Sequence, residues 1–182
     1  MLQPSVTLRR TAALLLGLLP ALYGVPAATI PTSPTFSVGA TVQNGCLVVG
    51  NPGQTTGLVF GQIGFGAFSA LSAGLQTAAL GPSGGSQALL QCTAGTTVQL
   101  SIDGGLHAVG LQRRLANGNG FFVPYALTLT NIGNLPVLPN VPVGIALGAT
   151  PQALPLQGTV LLPGLGLAAG IYTDTVQVTV SW

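Results

Sequence analysis

The last eleven residues, Tyr172 to Trp182, alternate apolar with polar side chains at a period of two. Val176, Val178, Val180 and Trp182 fall on one face, and Thr175, Gln177, Thr179 and Ser181 on the other. That period belongs to a β-strand with one face on a core and one in solvent. A strand leaves its backbone N–H and C=O groups unpaired until neighbours supply a sheet. The rest of the chain must therefore provide strands, and its punctuation shows how long they can be. Glycine (27) and proline (14) cut the apolar stretches of the 182 residues into short runs, which favours brief strands joined by turns.

Phe36, Ser37, Val38, Gly39, Ala40, Thr41, Val42 and Gln43 alternate in the same way, and Asn44-Gly45 then marks a turn. Thr56 to Gly61, Gln87 to Cys92 and Thr96 to Ile102 are β-type runs, with Val98, Leu100 and Ile102 sharing one face. Asp103-Gly104-Gly105 and Asn117-Gly118-Asn119-Gly120 have hairpin-turn chemistry, and Phe121 to Thr130 resumes β-type composition. Pro136, Pro139, Pro142, Pro151 and Pro155 confine any strand between Asn131 and Pro155 to an edge or an irregular connection. Ala67 to Leu80 fits a helix by its Ala, Leu and Gln content or a strand pair by its Gly74. About seven short strands at this spacing predict an all-β fold, a β-sandwich of immunoglobulin-like size.

Only six residues are charged (Lys+Arg 4, Asp+Glu 2), against 48% hydrophobic residues and a mean hydropathy of +0.66. Disordered chains show the reverse, and cytosolic enzymes carry far more charge. The chain has no lysine, so the clustered cations that grip nucleic acid are missing. Arg9 and Arg10 precede an apolar run from Thr11 to about Val25, and Ala27 and Ala28 follow. This is the layout of a secretory signal peptide, residues 1–27, cleaved after Ala27. Pro20 and the shortness of the run oppose a permanent membrane anchor. After cleavage the charges are Asp103, Arg113, Arg114 and Asp174, which cancel with His107 neutral, and near-neutral proteins associate readily.

Export gives meaning to the two cysteines, Cys46 and Cys92. In an oxidising compartment a disulfide is the default; it closes a loop of about 47 residues and contributes roughly 4 kcal/mol on the chain-entropy model. A zinc site would need Cys46, Cys92, His107 and one of the two aspartates together. Catalytic chemistry has little to work with. His107 sits in a loop and reads as a solvated histidine, Asp103 as a turn residue, and Asp174 as a partner for backbone N–H groups. Arg113 and Arg114 could contact a chaperone, a sugar or Asp103, and read more simply as solvated arginines on a loop or members of a local pair. Gly164-x-Gly166 lacks a third glycine at dinucleotide spacing, and no P-loop lysine exists. No catalytic, cofactor-binding or metal-ligating residue is expected, and the chain is not expected to be an enzyme.

The order of these features resembles a known family. It comprises the signal peptide, Asn44-Gly45-Cys46, Leu58 to Gly61, Leu89 to Gly95 around Cys92, Asp103-Gly104-Gly105, Arg114-Leu115, Tyr125-Ala126-Leu127, and a Gly-x-Tyr-x-Asp-Thr-Val ending at Gly170 to Val176. The chain is similar to the spore coat protein U domain family, whose members include subunits of archaic chaperone-usher (Csu-type) pili. The last motif is the most specific; Thr128 stands where the family often has a second aromatic.

The resemblance implies an immunoglobulin-like sandwich, residues 46–182, that lacks its last strand and is completed by a donor strand. The expected donor segment is 28–45, with Phe36, Val38, Ala40 and Val42 as the inserted face; Val176, Val178, Val180 and Trp182 would line the acceptor groove. The chain ends within that strong strand, which is what a missing final strand would look like. The implied partners are a periplasmic chaperone that lends a strand, an outer-membrane usher, and further copies or related subunits joined head to tail. The implied location is the periplasm in transit and then the cell surface, with a role in adhesion or biofilm formation. Three other expectations compete. The protein could be a spore coat or other surface-layer structural protein. It could be a self-complete adhesive module using exposed loops such as Gly64 to Leu71. Phe36 to Val42 could be simply the first strand of its own sandwich, with the donor function in the shorter stretch from Ala28.

Overall fold

The computed structural model describes residues 35–182, so the expected signal peptide and the first part of the 28–45 segment lie outside the described residues. Thr41–Trp182 form one compact unit. Residues 35–45 carry no strand, so the alternation of Phe36 to Gln43 is not matched by a strand among the described residues.

Eleven strands follow: β1 (Cys46–Val48), β2 (Gln62–Ile63), β3 (Ala73–Gly81), β4 (Leu90–Cys92), β5 (Thr97–Ile102), β6 (Arg113–Ala116), β7 (Phe122–Leu129), β8 (Leu135–Pro136), β9 (Val143–Ala146), β10 (Leu156–Pro163) and β11 (Val178–Ser181). Every pairing is antiparallel. One sheet has the order β2-β3-β10-β7-β6, with β8 also on β7, and a second has the order β11-β5-β9. β1 and β4 form a separate pair, and β4 is bonded onward to the chain after β9 through Gly148 and Gln152.

The period of two is realised in the burial. Val98, Leu100 and Ile102 of β5 are fully buried while Thr97 and Gln99 are exposed, and Val123, Tyr125, Leu127 and Leu129 of β7 alternate likewise. They join Leu156 and Val160 of β10 and Ile145 of β9 in one hydrophobic cluster, so the two sheets pack face to face as a β-sandwich. Each such side chain contributes about 1.5–3 kcal/mol by leaving water. Gly158 in β10 makes room within this core. A Cβ there would lie 2.8 Å from the Phe65 ring and 2.9 Å from Ile63, which both pack against the core.

The helix reading of Ala67 to Leu80 is replaced by strand β3, which pairs along its length with β10. Pairing with β10 decides what local propensity left open. Thr56 to Gly61 forms no strand, although Leu58 and Phe60 still pack on the core. The Asn117 turn joins β6 to β7, its Oδ1 accepting from the N–H groups of Asn119 and Phe121. The proline-rich stretch supplies only the short β8 and β9, the latter at a sheet edge. Cys46 and Cys92 stand directly opposite each other in β1 and β4 and form a disulfide.

Candidate functional site

β11 is the end strand of its sheet, with β5 as its one partner among the described residues. Its register sets Val178 opposite Ile102, Thr179 opposite Ser101, Val180 opposite Leu100 and Ser181 opposite Gln99. Just before it, Asp103 N–H donates to the Gln177 carbonyl at 3.0 Å, which marks Gln177 and Asp103 as a hydrogen-bonded pair. Antiparallel pairing alternates. Thr179 and Ser181 therefore bond to β5, and the N–H and C=O groups of Val178 and Val180 turn outward to the open edge. The side chains of Val176, Val178 and Val180 face the core, yet all three are only partly buried, whereas Val98, Leu100 and Ile102 on the neighbouring strand are at 0% exposure. Cover is lost toward the edge. Trp182 is 61% exposed, and its Nε1 lies 3.5 Å from where a Cβ on Gly45 would stand. An apolar, half-covered strand whose outward backbone groups meet no strand among the described residues is a template for another strand.

The root of β11 is held by the charged residues. Asp174, its side chain 2% exposed, accepts from Leu106 N–H at 2.9 Å and Tyr125 O–H at 2.8 Å, and its Oδ1 lies 3.0 Å from His107 Nδ1. Gly105 has φ +80°, and a Cβ there would collide with that carboxylate, which explains the glycine. Asp103 Oδ1 accepts from Gly105 N–H and Gln177 N–H, each at 2.9 Å. Arg113, 2% exposed, donates to the carbonyls of Asp103, Val137 and Ile102. Arg114 donates to the His107 carbonyl and lies 4.1 Å above the Phe122 ring. Burial lowers the pKa of Arg113 against the opposing influence of Tyr125, Asp103 and Asp174. Burial, then the bond to Asp174, pushes the Tyr125 hydroxyl well above its ordinary value. All four charged residues in 35–182, with His107, gather in this region.

Several sequence readings change accordingly. Arg113 is not solvated but buried, donating to three backbone carbonyls, that of Asp103 among them, and Arg114 stacks on the Phe122 ring. His107 is held against Asp174 rather than free in solvent. Asp103 and Asp174 take the turn and backbone-binding roles expected of them. Tyr125 was visible only as part of a motif; nothing local marks its hydroxyl as a partner for a residue 49 positions away. Among the described residues no three His, Cys, Asp or Glu side chains stand together as a metal site. A cavity of about 250 Å³ between Val48, Leu58, Val59, Gln87 and Ala88 has only neutral walls, so it supplies neither acid nor base. No helix among the described residues is long and apolar enough to cross a membrane.

The expected donor residues lie in the open. Phe36, Val38 and Val42 are 87%, 86% and 93% exposed, and Ala40 is exposed too. In the loop Gly64 to Leu71, Phe68 and Leu71 are exposed, while Phe65 is turned inward.

Fold and edge together define an antiparallel β-sandwich protein with an open, apolar end strand. The chain belongs to the Spore Coat Protein U domain family, whose model matches residues 32–179. Among solved structures, a chain of the CsuC–CsuE chaperone–tip adhesion subunit pre-assembly complex from the archaic chaperone-usher Csu pili of Acinetobacter baumannii is similar. The likeness covers 78% of this chain at 20% identity, with a TM-score of 0.41. This chain spans 40% of the length of that one. No curated protein sequence matches it.

Proposed function

We propose that this protein is a structural subunit of an archaic chaperone-usher pilus, exported to the periplasm and polymerised by donor-strand exchange at the cell surface, where the fibre serves adhesion or biofilm formation. The observation that carries this reading is a complementarity within one chain. β11 offers outward backbone groups and the partly buried Val176, Val178 and Val180, while Phe36, Val38, Ala40 and Val42 alternate on an exposed segment that joins no strand here. Inserting that segment beside β11 of a neighbouring copy completes the sheet by backbone hydrogen bonds and buries the apolar face. The three large side chains contribute about 1.5–3 kcal/mol each before ordering costs. The contact is heterologous and does not close, so it propagates as a filament. A periplasmic chaperone would occupy the edge first, and an outer-membrane usher would catalyse its replacement.

The test is an immunoblot of the cell-surface fraction, comparing unheated with boiled samples of the full-length chain and of a deletion of residues 28–43. The expected result is a detergent-resistant ladder that collapses on boiling and is absent from the deletion. Monomer in every lane would overturn the proposal in favour of a self-complete module that uses loops such as the one bearing Phe68 and Leu71.

A further inference from the structure

The chain has two acidic residues, and both act at one place. Asp103 and Asp174, 71 positions apart, converge on the segment that leads into β11. We propose that Asp103 and Asp174 are positioning residues that lock β11 in register on β5 before any donor arrives, so that the acceptor edge is preformed. This rests on the strand-exchange reading and specifies how its site is prepared.

β11 is four residues long and pairs on one side, with its apolar face half covered. Such an edge strand is among the least stable parts of a sheet. A slip of one residue would turn Thr179 and Ser181 toward the core and expose the valines, since side chains alternate strictly along a strand. The hydrogen bonds that oppose a slip lie before Val178. Asp103 holds Gln177 twice, through Oδ1 to its N–H and through its own N–H to the Gln177 carbonyl. Asp174 is fixed by Leu106, His107 and Tyr125, so the chain cannot advance or retreat past it. Thr173 and Ala116 exchange both backbone bonds at 2.9 Å, tying the same segment to β6 of the other sheet. β11 thus projects from an anchored root with its correct face inward. Carboxylates suit the task because they are short, accept only, and take several N–H or O–H donors at once. Arg113 supports them from beneath by holding the carbonyls of Ile102 and Asp103.

The experiment measures amide hydrogen exchange residue by residue on the monomeric fraction of the full chain, for the natural sequence, Asp103→Ala, Asp103→Asn and Asp174→Ala. Each variant is also scored for the heat-sensitive ladder. In Asp103→Ala the amides of Thr179 and Ser181 should lose protection about tenfold or more, the worth of one charge-assisted bond, while β7 and β10 change little. Asp103→Asn keeps an acceptor oxygen and should restore most of the protection. The ladder should weaken in step with the loss. Unchanged protection in β11, or an equal loss in every strand, overturns the proposal. If Asp174→Ala does not fold, Tyr125→Phe removes one of the three bonds and gives the same comparison. Selective loosening of β11 with an undiminished ladder would overturn the claim that assembly uses a preformed edge, whereas strand exchange itself stands or falls on the ladder of the 28–43 deletion.

Discussion

Replacing Arg113 by methionine removes the guanidinium but keeps an unbranched apolar stem of similar reach. The side chain is 2% exposed and donates to three carbonyls, those of Asp103 (2.8 Å), Val137 (2.6 Å) and Ile102 (2.9 Å). Ile102 O keeps a second donor, the N–H of Asn140 at 2.9 Å. The other two have no further partner among the described hydrogen bonds. Each orphaned carbonyl costs about 1–3 kcal/mol. Removing a buried cation returns part of its desolvation cost, but Asp103 and Asp174 lose the positive charge beside them, so these two effects oppose. We expect a net loss of about 3 kcal/mol, a large fraction of the roughly 5–15 kcal/mol that holds a domain together. With a slope of about 2 kcal/mol/M, the urea midpoint followed by circular dichroism should fall by about 1.5 M. Arg113→Lys keeps the charge but one ammonium cannot span three carbonyls, so it should fall between the two. A methionine variant within about 0.3 M of the natural chain would refute the claim that backbone carbonyls are the reason for this arginine.

Phe36→Ser combined with Val38→Ser should abolish the ladder while leaving the unfolding midpoint of the monomer within about 0.5 kcal/mol, because both side chains are exposed. Val180→Asp places a charge on the half-covered face of β11 and should remove the ladder when donor segments of natural sequence are supplied. Cys46→Ser with Cys92→Ser should cost roughly 4 kcal/mol, read as a urea midpoint lowered to that of the reduced natural chain. The Tyr125 hydroxyl, raised by burial and by Asp174, keeps its proton where the unfolded side chain has ionised. Below pH of about 10 its contribution is complete; above it the unfolded state binds fewer protons, so stability falls by up to about 1.4 kcal/mol per pH unit. Tyr125→Phe should remove that part of the alkaline slope.

The regular part of this fold was legible because its causes are local. Val98, Leu100 and Ile102 alternate in the sequence and are fully buried in β5; the Asn117 and Asp103 turns carry the side chains that bond their own backbone. The two cysteines were enough to predict the disulfide once export was inferred. The helix-or-strand ambiguity at Ala67 to Leu80 was settled by β10, a strand more than 70 residues later, which no window of the sequence contains. The cluster around Asp174 was hidden for the same reason. Its members come from the 103–107 loop, β6, β7 and the approach to β11, and their meeting is a property of the topology. A count could have raised the suspicion: when residues 35–182 hold only four charged side chains, a solvated role for each is a weak account of why they are there.

The alternation in Phe36 to Val42 is as regular as that in Val176 to Trp182, yet only the second has a partner strand among the described residues. A period of two states that one face needs cover and that the backbone needs a neighbour; it does not state whose. Here the two unmet requirements are matched in kind. The segment at residues 36–42 has side chains that need a core and a backbone that needs a ladder, and the open side of β11 has a core that needs side chains and a ladder that lacks a strand. On the proposed strand exchange such a segment would join copies in one direction only, and because residues 36–42 and 176–182 are free of charge, salt should do little to loosen the joint.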